Sequence, residues 1–243
     1  GGGKAMCDDG MMDRWGIQEV YGMHNAPGIP VGEFATRPGG LMASSDEFEI
    51  VVTGVGGHAA EPHRAVDTTL VAAQILITLQ TIVSRNIDPL KNVVLTVGTF
   101  NTDSTASNVI AHTARMEGTV RTLDGAMRGF AKERIFRIAE DTASAMGAKA
   151  KVIWHPGYPV TVNTPEEAAY AVEAAKAVTD KVTGDVDPIM PSEDFSYMLE
   201  ERPGAYMFIG NGDTAMCHHP EYNFADETIP AGVSWLAEIT ERR

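Results

Sequence analysis

The sequence predicts an α/β protein in which one compact unit is inserted into another. Strand-like and helical segments follow each other in β-α-β-β-α-β order through the middle of the chain. The segments on either side follow a different pattern, and residues 36–46, which contain Pro38, two glycines and two serines, resemble a linker. We therefore assign residues 1–45 and 159–243 to one α/β unit, and residues 46–158 to an inserted unit.

The inserted unit is predicted from hydrophobic periodicity. Alternation of apolar and polar residues indicates four strands, at 47–53, 93–99, 114–122 and 148–154. The helical period indicates two helices, over 65–85 and 125–146, and Gly147 is a typical stop for the second. This order predicts a ferredoxin-like sandwich of four strands backed by two helices.

The flanking unit is predicted from fewer signals. A helix is expected at 4–14 and a strand at 17–22, and the apolar run at 205–209 has the continuous character of a strand buried inside an α/β sheet. Pro165 after Thr164 marks the start of a helix, and residues 230–241 form a closing helix.

The composition excludes several classes of partner. A net charge of −14 and a pI near 4.8 argue against a nucleic-acid partner, which requires a basic surface. No apolar run approaches the roughly 20 residues of a membrane span, and the N-terminus has no signal-peptide core, so we expect no membrane partner. Two cysteines, Cys7 and Cys217, form no disulfide framework, which favours a cytoplasmic location.

A glycine-rich segment, GVGGHAAEPH at 54–63, is the most informative local motif. Its glycines allow a tight turn and leave His58 uncrowded at the tip of a loop. An imidazole displayed in this way can donate a hydrogen bond to a developing oxyanion or a substrate carboxylate. The alternative is a solvated histidine in an ordinary surface turn.

Two further histidine sites lie in the flanking unit. His24 comes at the end of a strand-like segment, and His218 follows soon after the buried strand at 205–209. Open α/β sheets build their ligand sites at such strand ends, and imidazole is a good ligand for zinc and similar metals. A shared metal site is one interpretation, and two unrelated loop histidines are the other.

Seven segments together resemble the M20 family of metal-dependent amidohydrolases and peptidases. The resemblance is to its branch of hippurate hydrolases, N-acyl-amino-acid amidohydrolases and indole-acetyl-amino-acid hydrolases. The segments run in the family's order, and they are GGGKAM at 1–6, GMHN at 22–25, GGHAA at 56–60 with PH at 62–63, NVI at 108–110, GTVRT at 118–122, SEDF at 192–195 and HHP at 218–220.

The resemblance implies a zinc-peptidase-like metallohydrolase core, split by the inserted ferredoxin-like unit. That core would hold two divalent metal ions of Zn, Mn, Co or Ni per active site. By the same resemblance His24 binds one metal, and His218, rather than His219, binds the other. The implied substrates are small N-acyl amino acids or related amides.

The resemblance also assigns roles to the inserted unit. As a lid it would mediate homodimerisation, and His58 would reach the partner subunit's active site to help stabilise the tetrahedral oxyanion. Asn108 and Arg121 match lid residues that bind the substrate's carboxylate or the region of the scissile carbonyl. A guanidinium suits that role because it binds carboxylates through two parallel hydrogen bonds.

The chain departs from the family pattern in two ways. The N-terminal metal-binding segment, CGHDGH, is absent, and so is the Glu-Glu pair that would supply the general base and a further ligand. We therefore expect the metal site of this chain to be incomplete. Two functions follow from the sequence: a metal-dependent amidohydrolase, or an inactive fragment that acts as a dimerisation or binding scaffold.

Overall fold

The computed structural model describes residues 1–242. Before residue 44 the elements are α1 (Gly2–Asp8), α2 (Met11–Arg14), β1 (Val20–Ala26), β2 (Phe34–Ala35) and β3 (Gly39–Met42). Between 44 and 158 they are β4 (Asp46–Thr53), β5 (Gly57–His58), α3 (Thr68–Thr81), β6 (Val93–Thr102), β7 (Val109–Ile110), β8 (Thr113–Thr122), α4 (Gly125–Ala145) and β9 (Lys149–His155). The remaining elements are β10 (Thr161–Asn163), α5 (Pro165–Val178), β11 (Val182–Thr183), α6 (Ser196–Glu201), β12 (Gly204–Gly210) and α7 (Ile229–Glu241).

The molecule is a mixed α/β protein with several sheets, and it divides into two compact units. Residues 44–158 form one, which we call the inserted unit, and residues 1–43 with those from 159 onward form the other, the outer unit. The first division lies two residues before the boundary expected at 45/46, and the second coincides with the one expected at 158/159.

The inserted unit contains a four-stranded antiparallel sheet in the order β6-β8-β4-β9. Because side chains alternate across a strand, Phe48, Ile50 and Val52 of β4 share one face, and all three are buried. They form one core with α3 and α4, which pack against that face. The four strands of this sheet and the two helices follow each other in the predicted β-α-β-β-α-β order, and the short strands β5 and β7, which were not predicted, form a separate pair.

Helix α3 begins at Thr68, three residues after its predicted start, because the Asp67 side chain accepts hydrogen bonds from the N–H groups of Thr69 and Leu70. With the turn that follows, this segment extends to Asn86 and is long and apolar enough to cross a membrane by length and composition alone. Core helices meet the same criterion, and here Ile75 and Leu79 are fully buried inside the unit.

The outer unit has a sheet of order β1-β12-β2-β11, in which β1 and β12 are parallel. All seven residues of β12 are buried, as the apolar run without alternation predicts. Its core includes Phe34, Met207 and Trp235. Among the residues described, β1 lies at one edge of this sheet.

Three sequence predictions are wrong in detail. The stretch predicted as a linker contains β3, which pairs with β10, because its apolar residues Leu41 and Met42 enter the core. The predicted helix at 4–14 is broken at Gly10, whose φ of +77° does not fit a helix. The predicted strand at 17–22 is shifted to 20–26, so His24 lies inside β1 instead of after it.

A buried ion pair joins the two ends of the inserted unit. Arg128 of α4 donates from Nε and one terminal nitrogen to the two carboxylate oxygens of Asp46, at 2.6 and 2.7 Å. The Asp46 side chain is fully buried and also accepts from the N–H of Gly157 at 3.1 Å, while Arg128 donates to the Gly157 carbonyl at 3.0 Å. These bonds hold the first residue of β4 beside the segment that follows β9.

We expect Arg128→Ala to lower the free energy of unfolding of the inserted unit by about 3–5 kcal/mol, because Asp46 would stay buried without its charged partner. The matched control is Arg137→Ala on the same helix, which removes an exposed ion pair to Asp141 and should cost no more than about 0.5 kcal/mol. Urea unfolding of both variants measures the difference. Equal losses in the two variants would contradict this role for the buried pair.

Candidate functional site

The segment that carries His58 requires glycine at two positions, and His58 itself lies in the short strand β5 instead of at the predicted loop tip. A β-carbon on Gly54 would lie 2.6 Å from the Val66 carbonyl oxygen, and one on Gly56 would lie 2.9 Å from the Ile110 carbonyl oxygen. Both distances are well inside van der Waals contact, so only glycine allows the backbone segments to approach this closely. The glycine pattern in the sequence is therefore a packing requirement of this loop.

Short strand pairing brings His58 and Asn108 together. Strand β5 is antiparallel to β7, with His58 opposite Val109, and the N–H of Ala59 donates to the Asn108 carbonyl at 3.0 Å. Both residues line an open cavity of about 480 Å³, together with Asp103, Ser104 and His112. No motif or spacing in the sequence pointed to these last three residues.

Arg121 occupies a different place in the inserted unit. It lies on β8 opposite Val94, partly buried, and the described residues that line the His58 cavity do not include it. The structure thus brings together two of the three predicted lid residues. The roles assigned to all three stay predictions.

The His24 ring is oriented by the backbone of its own strand. Its Nδ1 lies 2.7 Å from the carbonyl oxygen of Asn25. A carbonyl can only accept, so Nδ1 carries the proton and the lone pair of the neutral ring is on Nε2. Metal-binding histidines commonly use this arrangement, in which one nitrogen donates to a carbonyl while the other is available to a cation.

The residue after His24 joins β1 to the segment that carries His218. The Asn25 side-chain amide donates to the Tyr222 hydroxyl and contacts the sulfur of Cys217 at 3.9 Å. Burial raises the pKa of Tyr222, and the neighbouring Cys217 raises it further, so Tyr222 stays a neutral phenol. Asn25 is part of the sequence motif GMHN, but no sequence signal pointed to Tyr222 as its partner.

His218 and His219 differ in backbone and side-chain geometry. His218 has φ of +72°, in the left-handed region that is unfavourable for residues with a side chain. The Nδ1 of His219 accepts a hydrogen bond from the N–H of Glu221 at 3.1 Å, which puts the proton of the neutral ring on Nε2. A protonated nitrogen has no lone pair for a metal, which disfavours His219 as a ligand in this geometry.

The described residues do not complete a metal site. Within residues 1–242 no group of three or more His, Cys, Asp and Glu side chains could hold a metal ion. A two-metal site needs terminal and bridging ligands from several segments, so two imidazoles alone are an insufficient set.

The acidic residues of the SEDF segment are engaged elsewhere in the outer unit. Glu193 accepts a hydrogen bond from the Tyr206 hydroxyl at 2.8 Å, and burial together with this carboxylate raises the pKa of Tyr206. Asp194 accepts from the N–H of Gly3 at 2.8 Å. These contacts give both carboxylates structural partners.

This fold and these motifs define a member of the peptidase family M20/M25/M40. The family's sequence profile matches residues 1–242, so the chain belongs to that family and the sequence resemblance is confirmed.

The relatives of the chain include proteins named as a deacetylase and as a hydrolase. The chain is 39% identical over 241 residues to an N-acetyl-L-cysteine deacetylase of Bacillus subtilis, covering 99% of this chain and 57% of that protein. It is 34% identical to a hippurate hydrolase of Campylobacter jejuni, covering 98% of this chain and 63% of that protein. The chain therefore spans about three fifths of the length of these relatives.

The structure also resembles solved structures of the family. One is a Bacillus subtilis protein described as a dinuclear metal binding peptidase from the M20 family. The TM-score is 0.80 at 30% sequence identity, over 98% of this chain and 60% of that one.

We expect Gly54→Ala to lower the free energy of unfolding of the inserted unit by about 1–3 kcal/mol, because the new methyl group overlaps the Val66 carbonyl. Gly57→Ala is the matched control, since its β-carbon would meet only the Ala65 side chain, at 3.4 Å, and its effect should stay within about 1 kcal/mol. Denaturant unfolding measures both variants. If the Gly57 variant is as unstable as the Gly54 variant, the close approach of the Gly54 backbone to the Val66 carbonyl is not the cause of the loss of stability.

Proposed function

We propose that this chain serves a metal-dependent amidohydrolase that cleaves the amide bond of N-acyl amino acids or related small amides. The observation that carries the proposal is the link from Asn25 to Cys217 and Tyr222, which joins the two histidine-bearing segments at the carboxyl ends of neighbouring parallel strands. The relatives named as a deacetylase and a hippurate hydrolase support this class of substrate.

His24 and His218 are the proposed metal ligands of this chain. The Nδ1–H bond of His24 to the Asn25 carbonyl supports a ligating Nε2, and the Nδ1 bond of His219 supports His218 as the ligand of the pair. Further ligands and a general base must come from residues other than these. The solved relative described as dinuclear supports two divalent ions per site.

The inserted unit is proposed to be a ferredoxin-like lid. Its strand order and its two helices on one face support this description. Within it, His58 would donate to the oxyanion, and Asn108 and Arg121 would bind the substrate's carboxylate or carbonyl region. The exposed His58 ring and its cavity, shared with Asn108, leave room for such a ligand.

A homodimer through the lid is the proposed assembly. In the described sheet β6 is an edge strand, and an unpaired edge can hydrogen-bond to a second copy. Helix α3 also exposes two large apolar side chains, Leu70 at 59% and Ile77 at 61%. A sheet edge and an apolar helix face in one unit suit a two-fold contact in which the same surfaces meet.

We also propose a cytoplasmic location, since Cys7 and Cys217 are both free thiols.

The second candidate function is a dimerisation or binding scaffold without catalysis. The insufficient ligand set among the described residues favours it for this chain by itself. Hydrolysis of hippurate or N-acetyl-L-cysteine with Mn²⁺, Co²⁺ or Zn²⁺ would support the amidohydrolase. A dimer that binds no metal and hydrolyses neither substrate would support the scaffold.

We expect His218→Gln to weaken binding of Zn²⁺ or Mn²⁺ at least tenfold, because it removes a metal ligand. His219→Gln, the adjacent control, should change the dissociation constant less than twofold. Equilibrium dialysis with elemental analysis measures both. Equal losses in the two variants would refute the assignment of His218.

We expect Ile77→Glu to convert the dimer to monomer at micromolar concentration, because a charge would be buried in the apolar contact between copies. The control, Leu90→Glu, places the same charge in the turn before β6, at a residue that is 88% exposed. Light scattering coupled to size-exclusion chromatography gives the two masses. If Ile77→Glu stays dimeric, or the unmodified chain is monomeric, α3 is not the contact.

A further inference from the structure

The ring of His58 is held by a backbone group two residues later in the chain. The N–H of Ala60 donates to His58 Nδ1 at 3.1 Å. The same turn continues with the N–H of Glu61, which donates to the His58 carbonyl at 2.8 Å. The ring is therefore tied to a segment that is itself tied, through Ala59, to the Asn108 carbonyl.

This bond determines which nitrogen of the neutral ring carries the proton. A backbone N–H can only donate, so Nδ1 must present its lone pair. In a neutral imidazole the proton is then on Nε2, which makes Nε2 a hydrogen-bond donor. The opposite arrangement occurs at His24, where a carbonyl next to Nδ1 holds the proton there and leaves Nε2 as an acceptor.

The two tautomers of His58 would act in opposite ways on a developing oxyanion. With the proton on Nε2, the ring offers a positive N–H dipole to the negative oxygen. With the proton on Nδ1, Nε2 would present a lone pair and repel that oxygen. Stabilisation of a transition state is largest when the donor is oriented before the charge develops, because no reorganisation is then required.

We propose that the Ala60 backbone N–H is a positioning group that fixes His58 as its Nε2–H tautomer and so makes Nε2 a dedicated donor. The inference rests on the proposed function for its catalytic meaning. Its structural content, the tautomer and its cause, is independent of any activity.

The tautomer is tested first in the unmodified chain. With ¹⁵N-labelled protein at a pH where the ring is neutral, His58 Nδ1 should resonate as an unprotonated nitrogen and Nε2 as a protonated one. A scalar coupling between the Ala60 amide nitrogen and His58 Nδ1 should be detectable across the hydrogen bond. A protonated Nδ1, or a mixture of tautomers, would overturn the proposal whether or not the protein is active.

The cause is tested by substitution at residue 60. Ala60→Pro removes the N–H and should introduce a detectable Nδ1–H population, whereas Ala60→Gly keeps the N–H and should leave the ring spectrum unchanged. His112, exposed in the same unit, serves as an internal reference for the spectrum. If Ala60→Pro folds and keeps a pure Nε2–H ring, the backbone bond is not the cause.

The role of Nε2 as a hydrogen-bond donor is tested with two substitutions of His58 whose side-chain amides imitate the two ring nitrogens. His58→Gln places an amide N–H near the position of Nε2, while His58→Asn places its amide near Nδ1 and leaves the Nε2 position empty. We expect kcat/KM on an N-acyl amino acid to fall roughly 10²–10³-fold for Asn, the usual cost of losing an oxyanion donor, and distinctly less for Gln. Equal losses would overturn the donor role of Nε2, and an unmodified enzyme inactive on every amide would refute the proposed function while leaving the tautomer result intact.

Discussion

The parallel pairing of β1 with β12 is the constraint on which the proposed metal site depends. It sets His24 opposite Phe208 and Asn25 opposite Ile209. The carboxyl ends of the two strands therefore lie side by side. The Asn25 side chain then bridges from one strand to the loop that follows the other. Two segments that lie almost at opposite ends of the sequence are thereby held together by a sheet register and one amide.

The histidines of this chain show how backbone contacts specialise chemically identical side chains. His24 faces a carbonyl and keeps its Nε2 lone pair, while His58 and His219 face N–H groups and keep their Nε2 proton. The first arrangement suits a cation and the second suits an anion. Sequence motifs identify these histidines. Whether Nε2 carries a lone pair or a proton is determined by a backbone group within two residues of each ring.

Much of the inserted unit could be predicted from the sequence because alternation and helical period describe its elements directly. The glycines around His58 were predicted to allow a tight turn, whereas Gly54 and Gly56 are required by close backbone approaches. Strand β3 was mistaken for a linker because proline and glycine beside it outweighed the short apolar run. The Asn25–Tyr222 contact could not be predicted, because no periodicity relates side chains so distant in the sequence.

The junction of the inserted unit has a consequence for how such a protein can be rearranged. The N–H of Ser45 donates to the Tyr158 carbonyl at 2.9 Å, and Gly157 packs so closely that a β-carbon there would lie 1.9 Å from the Ser45 carbonyl oxygen. More than a hundred residues therefore leave and return through neighbouring backbone positions. A chain organised in this way can gain, lose or exchange the whole intervening module at a single point, since a short turn would span the same gap.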